Sequence, residues 1–284
     1  TSATTTRVEG GGGDSLGVGV ALAFNSIGIE PQNVLFNTVD ALLGTDIGDV
    51  DRARAYAALE GGAIDAADSV VVDARNAATV DAEVENSVVV TNLSFGESQD
   101  QRAISAAPIV TLNRIASGAV ANVSDAEGVT ARTGDVEVTA EDVAAIRAEI
   151  KAAAASVSVS LASGKSLSFA VAAAIARNDI DALVDAAILN SGSDATPVSA
   201  EAGAIRVLAA QNASIDATTR AVAASISVSG GKAFGASGGG ALAFNSINGG
   251  TTARVEDSVL KAATVEVDAE SVSAIRSDVL AAAV

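Results

Sequence analysis

Leu16 to Asn25 alternates without a break. Leu16, Val18, Val20, Leu22 and Phe24 share one parity; Gly17, Gly19, Ala21, Ala23 and Asn25 share the other. A period of two puts successive side chains on opposite faces of an extended strand. One face is large and apolar, the other small and hardly polar. Such a strand is expected to be covered on both sides or to lie against something flat. The stretch returns as Leu167 to Asn178, as Gly240 to Asn245 and, weakly, as Ile109 to Asn113. Each copy closes on Asn-x-Ile, with Asn25, Asn113, Asn178 and Asn245 at intervals of 88, 65 and 67 residues. Self-similarity of this kind predicts an array of stacked units.

Further alternating segments lie between these copies. Val70–Ala74, Val136–Ala140, Val207–Ala210 and Val265–Ala269 read as half-buried strands with acids outward. Val80–Glu85, Ile146–Lys151 and Ile275–Val279 follow, the middle one with helix as a competing reading. Ser156–Leu161 and Ser225–Ser229 read as strands with apolar residues in and Ser out, closing at the glycine turns Ser163-Gly164-Lys165 and Gly230-Gly231-Lys232. Long antiparallel hairpins folded at those turns are the competing arrangement. The connection after Asn25 is about 25 residues longer than its shortest counterpart. Val34, Leu35, Val39, Leu42 and Leu43 within it follow a short amphipathic helix pattern.

The fold class predicted is all-β: a parallel β-solenoid of about four degenerate repeats, with one partly helical insertion. The whole of 1–284 reads as a single segment cut from a longer array, and 28–55 as a lateral insertion.

Composition supports a thin core. Hydrophobic residues make up 49% of the chain but aromatics only 2%, with no Trp, Met, His or Cys. Small side chains fill a core one or two layers deep, as in solenoids, better than a thick one. The net charge of −18 argues against binding a phosphate backbone. No apolar run reaches the length of a membrane-spanning helix.

Candidate chemistry is sparse. The absence of His and Cys removes most transition-metal and thiol chemistry, and most carboxylates alternate with apolar residues on exposed strand faces. No enzyme activity and no organic cofactor are expected. Gly10-Gly11-Gly12-Gly13-Asp14 lacks the spacing and Lys of a phosphate loop and reads as a turn. Asp46, Asp49 and Asp51 place three hard oxygen ligands close together, a candidate calcium site, with a solvated acidic loop as the competing reading. Asn25, Asn113, Asn178 and Asn245 are read as a structural ladder of amide hydrogen bonds.

The succession ALAFNSI, ARVEDSVLKA, TVEVDAES and SVSVS-G resembles the repeat regions of large bacterial surface proteins, the leukotoxin-like filamentous adhesins. The resemblance implies a parallel β-solenoid, export to the surface of a Gram-negative cell, and adhesive or stalk duty. It carries over no active-site residue. The insertion is a departure, as is Arg177 where Phe24 and Phe244 stand in other copies. Two functional classes follow. One is a structural module whose partners are like repeats of the same long chain, with lateral self-association through the small-residue face. The other is a binding module that recognises a glycan, a receptor or a neighbouring chain through 28–55 or one solenoid face. Tyr56 and six Phe, most of them on the parity read as inward, favour the structural class.

Overall fold

The computed structural model describes residues 2–11, 13–29, 51–95 and 100–284. Their regular structure is all β, and the paired strands run parallel. In chain order these are β1 (Ser2–Gly10), β2 (Asp14–Val18), β3 (Ala21–Ile27), β4 (Ala53–Glu60), β5 (Ala63–Ala66), β6 (Val70–Ser94), β7 (Gln101–Ser124), β8 (Gly128–Ala131), β9 (Val136–Ser160), β10 (Ser166–Leu189), β11 (Val198–Ser229), β12 (Ala233–Glu256) and β13 (Leu260–Ala283).

Two sheets share them. One is ordered β1-β6-β9-β11-β8-β5, with β13 also on β11. The other is ordered β12-β10-β7-β2, with β3 and β4 also on β7. From β6 onward the long strands fall in alternate sheets, so the chain winds between them and each circuit adds one strand to each sheet. The turns at Gly164 and Gly231 therefore join strands of different sheets, not hairpin partners. The arrangement is consistent with a β-solenoid.

The strands are long. The 25 residues of β9 extend about 80 Å at ~3.3 Å per residue. Segments that read separately in sequence are continuous: Val136–Ala140, Ile146–Lys151 and Ser156–Ser160 all belong to β9, and the helix reading of its middle does not apply. Likewise β10 runs through Asn178 without a connection. Adjacent strands lie about 4.8 Å apart, so each circuit of 65 or 67 residues advances the axis by only that distance.

The insertion leaves one strand line and returns to it. Ile27 pairs with Ile115 and Ala53 with Ser117, so only Ala116 separates the points of departure and return. Gly28, at φ 70°, makes the exit. A Cβ there would lie 1.9 Å from the Ala116 carbonyl oxygen. The short helix predicted over 32–43 falls outside the described residues.

The side chains face opposite to one sequence expectation. Gly17, Gly19 and Ala21 point between the sheets, and Leu16, Val18, Val20 and Leu22 point out, each about half exposed or more. The same holds in β10, where Ala170, Ala172 and Ala174 are buried and Val171 is 53% exposed. Phe24, Phe169, Phe234 and Phe244 share that outward parity, correcting the inward placement of the aromatics. Ser156, Ser158 and Ser160 are buried, so the "Ser out" reading is reversed as well.

The spacing between the sheets is the physical reason. Ser227 Oγ donates to the Ser166 carbonyl at 2.7 Å, and Ser168 Oγ to the Ser156 carbonyl at 2.9 Å. A serine of one sheet thus reaches the backbone of the other. Face-to-face sheets with ordinary cores lie about 10 Å apart, which no serine spans. A Cβ on Gly17 would sit 2.6 Å from Val90 Cγ2. Opposite the buried Val88 and Val90, the strand that carries Gly17 has no room inside for a larger side chain. Further along, the interior widens to Val and Ile. One cluster is built around Ile109, Ile115, Ile146, Ile150, Ile180 and Ile215, and a second around Val136, Val138, Val184, Ile188 and Ile205.

Candidate functional site

The four asparagines meet in one line. They share a register position on β3, β7, β10 and β12. Asn25 Nδ2 donates to Asn113 Oδ1 at 2.7 Å, Asn113 Nδ2 to Asn178 Oδ1 at 2.7 Å, and Asn178 Nδ2 to Asn245 Oδ1 at 2.8 Å. Asn113 and Asn178 are fully buried. A primary amide is both donor and acceptor, so identical residues one strand spacing apart satisfy each other head to tail. The run ends with the Asn25 oxygen at one side and the Asn245 amino group at the other.

A second polar line crosses the other sheet, where Asn76, Asp142, Gln211 and Ser271 stand in register. Asp142 is fully buried. Its Oδ1 accepts from Asn76 Nδ2 at 2.7 Å, and its Oδ2 accepts from Ser117 Oγ of the facing sheet at 2.8 Å. Gln211 Oε1 accepts from Thr251 and Ser271 hydroxyls. Burial raises the Asp142 pKa above the ordinary carboxylate value, and the two hydrogen bonds oppose that shift. Sequence reading missed this group. Asp142 has the parity of Val138 and Ile146, and that signal could have found it.

The charged half of each strand carries its ions on the outer faces. Arg206 of β11 joins Asp135 and Glu137 of the preceding circuit and reaches Glu266 of β13 at 3.6 Å. The Ala204 backbone N–H and the Arg206 guanidinium hold the Asp135 carboxyl below its ordinary range. Arg132 does the same for Asp65. Arg177 faces outward and pairs with Asp179 at 2.7 Å, which is why it can replace a phenylalanine. The Arg206 and Arg177 pairs are part-buried, whereas the exposed Arg132–Asp65 pair contributes little stability.

Of the three candidate calcium ligands, Asp46 and Asp49 lie outside the described residues. Asp51 is exposed. Among the described residues no cluster of three or more acids is arranged to hold a metal ion. An open groove of about 630 Å³ lies at the far tip between Ile64, Thr130, Pro197, Glu201 and Lys261. Its Asp65 is taken up by Arg132.

The chain matches no protein-family model, no curated protein and no solved structure.

Proposed function

We propose that this chain is a non-enzymatic structural module that works by stacking like units, as a segment of a large extracellular or cell-surface assembly. The parallel β-solenoid of about four repeats, read from the sequence, is the fold this reading uses. The observation that carries it is the Asn25–Asn113–Asn178–Asn245 line. Each circuit meets the next through the same amide bond and the same register, a geometry that grows by adding more of the same.

The β13 side supplies the surface for growth. Val265, Val267, Ile275 and Val279 occupy the register of Ile205, Val207, Ile215 and Thr219, which are buried one strand earlier. On β13 they are 45–50% exposed. A further circuit, from the same chain or from a second copy, covers them and accepts the free Asn245 amino group. The module is broad rather than far-reaching: 65 or so residues add ~4.8 Å along the axis and about 80 Å across it. Duty as a wall or thick filament uses this shape better than duty as a slender spacer.

Electron microscopy of the purified chain at rising concentration tests the reading. Stacks that lengthen along the axis are expected, and Val267→Lys with Ile275→Lys should abolish them. Single particles at every concentration, or stacks indifferent to those substitutions, would overturn it.

A further inference from the structure

Among the described residues β12 pairs only with β10, β13 only with β11 and β3 only with β7. Both sides of the stack therefore end in strand edges, each a row of unpaired backbone groups that a matching strand can join. The two edges match each other. Continuing the Asn25–Asn113–Asn178–Asn245 line by one circuit sets Ala21–Ile27 of a second copy on Ala241–Ile247, and both segments read ALAFNSI. The Asn245 amino group then meets the Asn25 oxygen, as each amide meets the next inside the chain. In the other sheet the same step sets Val267 on Val72, Ser271 on Asn76 and Ile275 on Val80. Charge is evenly divided in this register. Lys261, Glu270 and Arg276 meet Asp65, Arg75 and Asp81, whereas Glu256, Asp268 and Asp278 meet Glu60, Asp73 and Glu83. The chain already tolerates one such like pair, Glu83 beside Glu149. A two-fold contact between like edges runs the strands antiparallel and gives the Asn245 amino group no amide oxygen of the line.

One segment stands in the way. β1 lies on the Val84–Asn92 half of β6, and Val84, Ile150, Thr219 and Val279 share a register position. Val284 extends the β13 line to the level of Ala224. In a continuous stack, Ser2–Arg7 of the second copy and Val279–Val284 of the first occupy the same places, so one of them must leave. The inward residues decide which. β13 brings Val279, Ala281 and Ala283, continuing the buried Ala152 and Ala154 of β9 and Ala221 and Ala223 of β11. β1 brings Ser2, Thr4 and Thr6 to the same positions. Burying the apolar set is the more favourable. Val8–Gly10 of the second copy then follow Val284 along the same line, opposite Ser225–Ser227.

We infer that copies of this chain join head to tail in continuous register, β12 and β13 of one on β3, β4 and β6 of the next, with Val279–Val284 of the first displacing Ser2–Arg7 of the second. The first half of β1 is then a guard strand that covers the docking edge of β6 until another copy replaces it. A head-to-tail contact of this kind leaves a fresh edge after each addition and so builds open filaments. The inference rests on the stacking proposed above and adds its partner, its register and its guard. Lateral association through the small-residue face, expected from sequence, does not arise, because the facing sheet of the same chain occupies that face.

Cross-linking between two populations tests the inference, one carrying Ser26→Cys and the other Ser246→Cys in a chain that has no cysteine of its own. Ser26 and Ser246 share a register position, so they lie about 14 Å apart in one chain but ~4.8 Å apart across the proposed contact. Dibromobimane, a short thiol bridge, should link position 26 of one copy to 246 of another, with little 26–26 or 246–246 product. Val279→Lys in the Ser246→Cys population should cut the yield about ten-fold or more, since it buries a charge only in the stack. Removing residues 1–7 from the Ser26→Cys population should raise the yield, because nothing then has to be displaced. Melting of the monomers should be retained in each case. Stacks in micrographs without the 26–246 product, or with 246–246 in its place, would overturn the inference and leave the stacking reading intact. A yield indifferent to both Val279→Lys and the removal of residues 1–7 would overturn the guard role. Neither stacks nor product would overturn the stacking reading as well.

Discussion

Asn113 donates its side-chain amide to Asn178 across 2.7 Å, although 65 residues separate them. The same bond joins the strands on either side, so Asn113 is both donor and acceptor within the interior. Replacing it leaves two partners unsatisfied, Asn25 Nδ2 and Asn178 Oδ1. An unpaired buried polar group costs about 1–3 kcal/mol.

Asn113→Ala should therefore destabilise the chain by roughly 2–4 kcal/mol in denaturant unfolding. Asn25→Ala, at the end of the line and only part-buried, should cost about 1 kcal/mol. Equal losses for the two would mean that the line adds nothing beyond its separate residues.

The tight spacing of the sheets makes a second prediction. Gly17→Val places methyl groups against Val90 and Val88 and should cost about 1–3 kcal/mol by overpacking. Val18→Ala, one residue on and facing out, should change monomer stability by no more than about 0.5 kcal/mol. A reversed order of the two would place the core on the other face.

Asp142 sets a pH dependence of definite sign. Its folded-state pKa is raised by burial, so the folded chain binds more protons than the unfolded chain in the window above the ordinary carboxylate pKa. The contribution of this group to stability is full below that value and is lost as pH rises through the folded-state pKa. Asp135, Asp65 and Glu149 are shifted downward and act in the opposite sense. The comparison is therefore between wild type and Asp142→Asn, melted side by side. The variant should be the more stable at neutral pH, and its advantage should shrink as the pH falls into the carboxylate range. An advantage independent of pH would show that the Asp142 pKa is the same in the folded and the unfolded chain, and would contradict the upward shift.

Alternation made the strands legible, and the recurring asparagines made their parallel register legible. The pairing of Asn178 with Asn113 and Asn245 follows from aligning the copies by eye. Two features were not legible, each for a physical reason. Strand length was underestimated because polar residues such as Asn178 and Asp142 look like breaks, whereas a neighbouring circuit supplies their partners. The direction of facing was hidden because alternation marks two faces without saying which is inside. Hydrophobicity would choose Leu16 and Phe24. The distance between the sheets, visible in the Ser227–Ser166 bond, chooses Gly17 and Ala21 instead.

The inverted facing is the feature on which the thin interior and the exposed apolar outer face both depend. The chain has no cysteine, so single-cysteine variants report facing directly by their rate of thiol labelling. Ala170→Cys, Val171→Cys, Ala172→Cys, Ala174→Cys and Leu242→Cys should be labelled at low protein concentration under native conditions. Cysteines at 171 and 242 should react quickly, and those at 170, 172 and 174 only on unfolding. Fast reaction at 170, 172 and 174 with protection at 171 and 242 would contradict the account.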